Sequence, residues 1–410
     1  MGWLETCAVE ERLRFVLAVA EGDASASRVC RAFGISRKTG GKWLERYRSE
    51  GLAGLADRSR APIRRPQSMD DVVAQACLAV RRAHPTWGPL KVLAHLERVW
   101  PETAWPAAST IGSLFDREGL TVKRRVRRRG PPQSAPFGAC DAPNDTWCMD
   151  FKGWFRTGDG RRCEPFTLCD AASRYLLRCQ PLRRSDEAHV WPVLDAAFRE
   201  FGLPRWLRSD NGPPFRSTGG LGLSRLSVKL IKAGVIPDPT QPGKPQQNGR
   251  LERLHLTLLQ DAVSPPAASW GAQLKQLAEF RRVYNEERPH QALGQATPDD
   301  CYDRSPRDYH GVLRTPDYDA DCQVRRVRRG GEIKWEAGYL YVSQALAGEP
   351  VGLRQGEDGG WMLSFGPVLL GRIKPGSGKL TPHRPKPRGL VDNPAGLPTT
   401  PPALQPQQAP

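Results

Sequence analysis

Trp147-Cys148-Met149-Asp150-Phe151-Lys152 is an apolar stretch with one acidic residue in its interior, and it decides the fold of the central region. The stretch predicts a strand, and a turn at Thr157–Arg161 and two further strands follow it. The three predicted strands are Trp147–Phe155, Cys163–Asp170 and Tyr175–Leu182. Helices and short strands then alternate up to residue 285, which indicates a mixed sheet covered by helices.

Two further acidic residues stand in distinctive contexts downstream. Asp210 lies in Ser209-Asp210-Asn211-Gly212-Pro213-Pro214-Phe215, where a short strand predicted at Pro204–Ser209 ends. Glu252 lies in Gln246-Gln247-Asn248-Gly249-Arg250-Leu251-Glu252-Arg253, within a predicted helix. Asp150 and Asp210 are 60 positions apart, and Asp210 and Glu252 are 42 positions apart.

These three acids have the composition of a magnesium site. Mg²⁺ prefers oxygen ligands and retains water, so a few carboxylates and a substrate phosphate complete its shell. Two such ions, roughly 3.5–4 Å apart, stabilise both the attacking and the leaving oxygen of an in-line phosphoryl transfer. Asp150 would bridge them, Asp210 would act from the carboxyl edge of the sheet, and Glu252 would reach across. We therefore expect all three to be catalytic residues and ligands of two Mg²⁺ (or Mn²⁺) ions.

Each acid taken alone has a simpler explanation. An Asp after a strand is more often a turn cap, and a lone Glu on a basic helix is usually an exposed ion-pair partner. Asp170 and His255 are further candidate ligands. Asp170 precedes a short polar turn and is expected to cap it, and His255 is expected to be packed or DNA-facing because magnesium rarely accepts imidazole.

Residues 1–56 are expected to form a helix-turn-helix domain. The predicted helices are Glu10–Glu21, Ser25–Phe33 and Arg37–Arg48, the last capped by Ser36. Short helix, glycine turn and capped helix with a basic outer face are typical of this motif, although a plain three-helix bundle has the same pattern. Arg37, Lys38 and Lys42 would then face the DNA duplex.

A second helical module is expected at 66–120 and a basic linker at 121–146. The module has helices near 70–83, 89–100 and 109–118, with Ser109 as a candidate N-cap, and is either a second helix-turn-helix or a packing module. The basic residues of the linker are Lys123, Arg124, Arg125, Arg127, Arg128 and Arg129. A basic run is usually a solvated tail, but its position between helical modules and the acidic motifs favours a linker that contacts phosphates.

The C-terminal part changes character twice. Residues 318–375 contain short alternating strands with glycine-rich turns, which predicts a small β-barrel. The strands are Cys322–Val327, Ile333–Ala337, Tyr339–Val342, Val351–Gln355 and Trp361–Ser364. Residues 376–410 are rich in Pro, Gln and Thr with almost no apolar content, so we expect a disordered tail.

The bulk composition favours a polyanionic partner. The formal net charge is +17 and the isoelectric point is about 9.7, which indicates nucleic acid, although genomic bias towards arginine also contributes. The ten cysteines form no Cys-x-x-Cys pair, so reduced thiols are expected. No apolar run has the length of a membrane span and no signal-peptide pattern is seen, so we expect a cytoplasmic protein without membrane contact.

Over residues 10–305 the chain resembles bacterial insertion-sequence transposases with a retroviral-integrase-like core. The matching segments are Trp147–Gly153, Ser209–Phe215, Pro245–Arg253, and Tyr284-Asn285, Arg288-Pro289-His290, Leu293-Gly294 and Thr297-Pro298. The resemblance implies a multidomain protein with N-terminal all-α helix-turn-helix modules and a central α/β ribonuclease-H-like core at 147–305, followed by the expected barrel. It identifies Asp150, Asp210 and Glu252 as the D-D-E triad.

One spacing departs from the retroviral pattern. The 42 positions between Asp210 and Glu252 exceed the retroviral spacing, and the excess falls in Ser217-Thr218-Gly219-Gly220-Leu221-Gly222. The retroviral zinc-binding His/Cys module is also absent from the sequence. Both departures favour a bacterial transposase over a viral integrase.

The resemblance implies a DNA transposase that binds the ends of its mobile element, cleaves them and joins them to target DNA by transesterification. Its partner would be double-stranded DNA, and it would work as a homo-oligomer, a dimer or larger. Further phosphate contacts are expected from Lys152, Asn211, Gln247 and Asn248, the last two at a helix N-terminus. The alternatives are a transposase-derived, sequence-specific DNA-binding regulator without catalysis, and a nuclease without strand transfer.

Overall fold

The computed structural model describes most of the chain. The described residues are 7–58, 69–121, 140, 142–217, 219, 221–240, 249–376 and 378–383. The chain divides into two compact units, Met1–Met69 and Asp70–Pro410. The basic run Lys123–Arg129, Gln247, Asn248 and, within the predicted disordered tail, residues 377 and 384–410 lie outside the described residues. No described helix is both long and apolar enough to cross a membrane.

The first unit contains the three predicted N-terminal helices. They are α1 (Ala8–Ala20), α2 (Ala26–Ala32) and α3 (Arg37–Glu50). Ser36 caps α3 as predicted, because its hydroxyl accepts a hydrogen bond from the Thr39 amide at 3.1 Å. The helices pack closely at Gly40, where an added Cβ would lie 2.4 Å from the Cys30 sulfur. This contact fixes the basic N-terminal turn of α3 relative to α2.

The second unit begins with three more helices, α4 (Asp71–Ala83), α5 (Pro89–Val99) and α6 (Ala108–Arg117). The prediction that Ser109 caps α6 is wrong, since α6 begins one residue earlier and Ala107 occupies the N-cap. The shared core of these helices includes Trp87, Leu96 and Ile111, each at most 1% exposed. An apolar core of this kind forms with or without a DNA contact.

The α4–α6 module is hydrogen-bonded to the segment that follows the last long core helix. Lys91 donates to the Pro289 carbonyl, and Arg98 donates to the Glu286 carbonyl at 2.9 Å and to Thr297 Oγ1 at 3.0 Å. These hydrogen bonds attach residues 286–297 to the α4–α6 module. A packing role for the module is established by these contacts.

The central region forms the predicted mixed sheet. Its strands are β1 (Thr146–Phe151), β2 (Phe155–Arg156), β3 (Arg162–Asp170), β4 (Leu176–Leu182), β5 (Trp206–Ser209) and β6 (Ile236–Pro239). β3 pairs antiparallel with β1, β2 and β4, whereas β1, β5 and β6 are parallel. The first predicted strand, Trp147–Phe155, was too long, because the chain leaves the sheet after Phe151 and turns at Gly153, whose φ is +93°.

Helices cover both faces of this sheet. They are α7 (Glu187–Phe201), α8 (Arg225–Ala233), α9 (Gly249–Leu258) and α10 (Trp270–Arg282). Trp147 and Phe166 belong to an apolar cluster with α7 and α8, while Cys148 and Cys169 belong to one with α9 and α10. Alternate residues of β1 therefore face opposite helical layers, as a pleated strand requires.

The C-terminal strands do not form a closed barrel among the described residues. The strands are β7 (Gln323–Arg326), β8 (Glu332–Trp335), β9 (Gly338–Tyr341), β10 (Pro350–Gln355), β11 (Trp361–Phe365), β12 (Val368–Ile373) and β13 (Leu380–Pro382). Five of them pair in the open order β13-β12-β11-β10-β7, and β8 and β9 form a separate hairpin. The sequence analysis missed β12 and β13, and the predicted barrel is not confirmed. The prediction of disorder is wrong for Leu380–Pro382, because these residues pair with β12 as β13.

The C-terminal strands also pack against the core. Val228 and Ile231 of α8 lie in the same apolar cluster as Leu353 and Phe365. Beside this cluster the Lys232 amine lies 2.6 Å from a carboxylate oxygen of Glu349. This α8 therefore has two apolar sides, one towards the mixed sheet and one towards the C-terminal strands.

Arg288→Met should destabilise the protein by about 2–3 kcal/mol, because it leaves the partly buried Asp261 carboxylate without its cation. In the folded protein the Arg288 guanidinium lies 3.3 Å from Asp261 and is 7% exposed, while the Asp261 side chain is 24% exposed. Urea denaturation followed by circular dichroism measures the change. The double variant Arg288→Met/Asp261→Leu should recover most of the loss.

Arg304→Met is the matched control for this ion pair. Arg304 pairs with Asp308 at 2.8 Å, but both side chains are more than half exposed. An exposed pair contributes about 0–1 kcal/mol, so the control should unfold close to the parent. Equal stability of Arg288→Met and Arg304→Met would contradict the importance of the buried tie.

Candidate active site at the carboxyl edge of the core sheet

Parallel pairing brings Asp150 and Asp210 to one edge of the sheet. Thr146, Trp147 and Cys148 of β1 pair with Trp206, Leu207 and Arg208 of β5 in the same direction. Asp150 is the fifth residue of β1, and Asp210 directly follows β5, so both are at the carboxyl ends of their strands. The predicted strand-end position of Asp210 is confirmed, whereas Asp150, predicted in the middle of a longer strand, is the second-to-last residue of β1.

Glu252 lies on α9, which packs on the face of the sheet that carries Cys148. Leu251, Leu254 and Leu258 of this helix share an apolar cluster with Cys148 and Cys169. Because these leucines occupy the buried side, Glu252 is exposed near the first turn of α9. The helix therefore presents its carboxylate beside the sheet without burying it.

The Asp150 carboxylate is in a strongly negative environment. Burial, followed by the negative charges of Asp210 and Glu252, raises the pKa of Asp150 to about 7. A hydrogen bond from the Phe151 amide at 2.8 Å and the nearby Lys152 ammonium act in the opposite direction. Asp150 thus interacts with both other acids, and Lys152 is confirmed as its neighbour.

The Asp210 turn is held by its own side chains. Asp210 Oδ1 accepts from the Gly212 amide at 3.2 Å, and burial raises the pKa of Asp210. Asn211 donates to the Thr240 carbonyl at 2.7 Å and accepts from Arg216 at 2.8 Å. Both ends of the Asn211 amide are thus committed to the protein, which favours a turn-fixing role over the predicted phosphate contact.

A hydrogen-bond chain links the helix of Glu252 to the strand of Asp150. Thr167 pairs with Asp150 in the register of β1 and β3, and its hydroxyl donates to the Asp150 carbonyl at 3.1 Å. His255 Nε2 lies 2.8 Å from the same hydroxyl. Since the hydroxyl proton is used towards Asp150, His255 donates from Nε2, and burial, which lowers the pKa of His255 to about 4, keeps the ring neutral.

Asp170 is a turn cap, as the sequence favoured. It is fully buried, and its carboxylate accepts from the Asn144 amide at 2.8 Å, the Ala172 amide at 3.1 Å, and the Ser173 amide and hydroxyl, both at 2.7 Å. These donors occupy the oxygens that a metal ion would need. The packed role expected for His255 is also confirmed, because its side chain is buried against Thr167.

Thr167 is a residue that sequence reasoning missed. Its signal was available, because Thr167 is the one hydroxyl-bearing residue in the apolar run Phe166–Cys169. Its partner depends on the antiparallel register of β1 and β3, which no local pattern specifies.

The donor set fits a hard divalent cation. All three side chains offer oxygen, and the repulsion felt by Asp150 would be relieved by positive charge. Within the described ranges, however, no three His, Cys, Asp or Glu side chains converge closely enough to hold a metal ion. The three acids are therefore electrostatic neighbours that would have to converge further around an ion.

The other predicted DNA contacts are spread along the chain. Arg37, Lys38 and Lys42 are exposed on α3 in the first unit, as expected for a binding face. Part of the Lys42 side chain is held over the Trp43 ring at 4.7 Å. Gln247 and Asn248 precede the first described residue of α9, Gly249, and so lie outside the described chain.

The contribution of His255 to stability should fall as the pH is lowered from about 6.5 towards 4, while Asp150, whose pKa is raised, contributes in the opposite direction. Burial lowers the pKa of His255 from its ordinary 6.5 to about 4, so in this window the unfolded chain binds a proton that the folded protein excludes. The loss from His255 is on the order of 3 kcal/mol, measured by urea denaturation at several pH values. His255→Gln, which keeps a donor for Thr167, should flatten this dependence.

Some slope should persist in that variant, because burial also lowers the pKa of His290, to about 3. A variant that keeps the full slope of the parent would contradict the buried, neutral state of His255.

Comparison with sequence families matches both the core and the N-terminal helices. Two models described as Integrase core domain match residues 141–245 and 233–298. A Helix-turn-helix domain model matches residues 11–63, and a Homeodomain-like domain model matches residues 39–115. The last match reaches through α4 and α5 into α6, so the predicted helix-turn-helix character extends into the second module.

The curated relatives come from bacterial insertion elements. An uncharacterized 39.2 kDa protein of insertion element IS476 from Xanthomonas euvesicatoria is 30% identical over 190 residues, which is 45% of this chain and 52% of the relative. The 31.7 kDa protein of IS407 from Burkholderia multivorans is 27% identical and matches 57% of this chain and 82% of its own. Transposase InsD of IS2 from Escherichia coli is 29% identical over 55% of this chain and 73% of its own. The chain thus spans about half the length of the IS476 relative and more of the others.

Solved structures with related features are retroviral. The catalytic core domain of BIV integrase is 19% identical, covers 39% of this chain and 93% of its own, and has a TM-score of 0.30. The HTLV-2 integrase catalytic core domain in complex with magnesium is 15% identical, covers 40% of this chain and 98% of its own, and has a TM-score of 0.29. The chain is thus similar to integrase core domains over residues 141–298, to helix-turn-helix domains at its N-terminus, and to proteins of bacterial insertion elements over about half of its length.

Proposed function

We propose that this protein binds the ends of its mobile element and catalyses DNA cleavage and strand transfer at Asp150, Asp210 and Glu252. The single observation that carries the site is the environment of Asp150. It is a half-buried carboxylate at the carboxyl edge of the sheet, and the other two acids add to its negative surroundings. Such a concentration of negative charge costs stability unless it serves to bind a cation.

The three carboxylates would hold two Mg²⁺ (or Mn²⁺) ions. When bound, divalent ions supply Lewis acidity to the attacking and leaving oxygens. Asp150 lies on a central strand of the sheet. Hydrogen bonds from Thr167 to the Asp150 carbonyl and between Thr167 and His255 link this strand to α9, which carries Glu252. Lys152, beside Asp150, places a positive charge where a DNA phosphate would enter.

The chemistry would proceed in two displacements at phosphorus. In cleavage, a water oxygen bonds to the phosphorus at the element end and the bond to the 3′-oxygen breaks, so that a free 3′-hydroxyl forms after proton transfer. In joining, that 3′-hydroxyl oxygen bonds to a target phosphorus and the target's own 3′-oxygen leaves. The total number of phosphodiester bonds is unchanged in the joining step, so no external energy source is required.

DNA recognition would fall to the N-terminal helices and the basic linker, with further phosphate contacts next to the triad. Arg37, Lys38 and Lys42 would enter the duplex from α3, and Gln247 and Asn248 would contact phosphate near the triad. The basic residues of the linker would contact the backbone; these are Lys123, Arg124, Arg125, Arg127, Arg128 and Arg129. Because two ends must be brought together, we infer a homo-oligomer, a dimer or larger, on element and target DNA.

The C-terminal strands would act as one small barrel-like module. The β8–β9 hairpin contributes Ile333 and Leu340 to the apolar cluster that includes Leu353 and Leu363 of the five-stranded sheet. One common core for two sheets is what a small barrel requires.

Asp150→Asn, Asp210→Asn and Glu252→Gln should each reduce cleavage and joining by about hundredfold or more, because each removes one anionic ligand of the ions. The substrate is DNA from both sides of the gene, including its inverted repeats, with Mg²⁺ or Mn²⁺. Products are resolved on denaturing gels, and end binding is measured separately without divalent ions. Binding should be retained, since these acids are not the proposed recognition residues.

Asp308→Asn serves as the control carboxylate. Asp308 is exposed and pairs only with the exposed Arg304 among the described residues, so its loss should leave both activities near the parent. Parent-like cleavage by the triad variants would show that the site is elsewhere. Specific end binding by the parent with no metal-dependent nicking would favour a regulator.

A further inference from the structure

A basic and aromatic surface lies outside the triad, around the β2–β3 hairpin. We define the hairpin surface as Trp154, Arg161, Arg162, Arg183 and Trp270. Four of these residues line an open cleft of about 350 Å³, namely Arg161, Arg162, Arg183 and Trp270. Trp154 lies beside it, with the Arg162 guanidinium 4.8 Å from its ring centre.

The strand register places this surface at the same edge of the sheet as the triad. β1 ends at this edge, whereas antiparallel β3 begins there, and β4 ends there because Leu182 pairs with Glu164. Arg183 is the next residue after β4. Arg162 is five positions from Thr167, the partner of Asp150, so it lies about 17 Å along the strand from the triad.

The charge of the hairpin surface suits a polyanion. Arg162 pairs with Glu164, and Arg161 lies 3.6 Å from Asp159, so two of the three guanidinium groups are partly neutralised. Arg183 forms no ion pair within the described chain and extends towards the Trp270 ring, 5.8 Å from its centre. A cation held over an indole is therefore still available to a phosphate.

The aromatic rings suit bases rather than a paired duplex. Trp154 is 57% exposed, although indole rings are normally buried on average. Bases of a fully paired duplex are stacked on each other and present no open face to a ring. Exposed aromatic rings alternating with cations are instead the usual features of surfaces that bind single-stranded nucleic acid.

The surface is held rigidly by contacts between the hairpin turn and the start of α10. The Gly158 amide donates to the Ala267 carbonyl at 2.9 Å, and the Trp270 amide donates to Asp159 at 3.2 Å. Gly158 approaches so closely that an added Cβ would lie 2.8 Å from the Ala268 carbonyl oxygen. The positions of Arg161, Arg162 and Trp270 are therefore set by packing before any ligand arrives.

We propose that the hairpin surface binds an unpaired DNA strand next to the site of cleavage, with Trp154 against a base and Arg183 on a phosphate. The inference rests on the proposed function, since it concerns the path of the same DNA substrate. About 17 Å corresponds to roughly five base-pair steps of duplex, so the unpaired bases would lie within a few nucleotides of the scissile phosphate. Opening the end here would give the triad access to one strand.

The test compares binding of the full-length protein to two element-end DNAs, one fully paired and one with about five unpaired nucleotides beyond the cleavage position. Dissociation constants are measured without divalent ions, so that cleavage does not interfere. The parent should bind the forked DNA more tightly. Trp154→Ala should lose about tenfold on forked DNA and little on paired DNA, because only the base-stacking contact is removed.

Arg183→Ala should weaken forked-DNA binding and reduce its dependence on salt by about one phosphate contact. Tyr339→Ala and Arg304→Ala are the matched controls. Tyr339 is 57% exposed on β9 with the Arg328 guanidinium 4.5 Å from its ring centre, and Arg304 bonds to the Glu200 carbonyl near the end of α7. Both controls should bind forked DNA like the parent.

The outcomes separate this inference from the proposed function. If the parent cleaves end DNA but Trp154→Ala and Arg183→Ala bind forked and paired DNA as the parent does, the hairpin surface is not a DNA site. If both variants lose paired and forked binding equally, the surface contacts duplex and the inference about an unpaired strand is wrong. If the parent neither binds nor cleaves end DNA, the proposed function itself has failed.

Discussion

The parallel pairing of β1 with β5 is the constraint on which the rest of the structure depends. Parallel strands end at the same edge, so this pairing brings together Asp150 and Asp210, which are 60 positions apart in the sequence. Parallel strands cannot be joined by a tight turn, and here the connection passes through β3, β4 and α7. The buried apolar face of α7 is therefore part of what positions the acids, although it touches none of them.

Bringing acids together has an electrostatic cost that the surrounding packing offsets. Asp150 loses solvent and gains two negative neighbours, which raises its pKa. The backbone around it is held by a hydrogen bond from Thr167 and by the apolar layers on both faces of β1. Uncharged contacts thus hold Asp150 close to two other acids, although their mutual repulsion opposes this arrangement. Functional sites commonly keep such an unfavourable arrangement, and the surrounding packing offsets its cost.

Much of the fold follows from local sequence patterns. The helices of the first unit, the central strands and the positions of the three acids agree with prediction to within a few residues, because each has a clear apolar period or a cap such as Ser36. The end of β1 was misplaced because Phe155 continues the apolar pattern, although Gly153 turns the chain out of the sheet. Ser109 was misassigned because a serine before a helix and one in its first turn have the same local signature.

Contacts between distant segments could not be predicted from the sequence. The tie from Thr86 and Lys91 to Arg288 and Pro289 joins residues about 200 positions apart, and no period or motif encodes it. The same is true of the His255–Thr167 pair and of the open order of the C-terminal strands. Local patterns specify which face of an element is buried, but the partner of that face is decided by the whole chain.

The triad and the hairpin surface carry opposite charges at the same edge of the sheet. The acids repel the DNA that they are proposed to cut, and Lys152 is the nearest counter-charge to Asp150. Arginine at the hairpin attracts the polyanion about 17 Å along the strand from Asp150, where its charge does not neutralise the affinity of the acids for a cation. Because the hairpin arginines lie apart from the three acids in the direction of β3, the same sheet edge can attract DNA and keep the negative charge that would bind a cation.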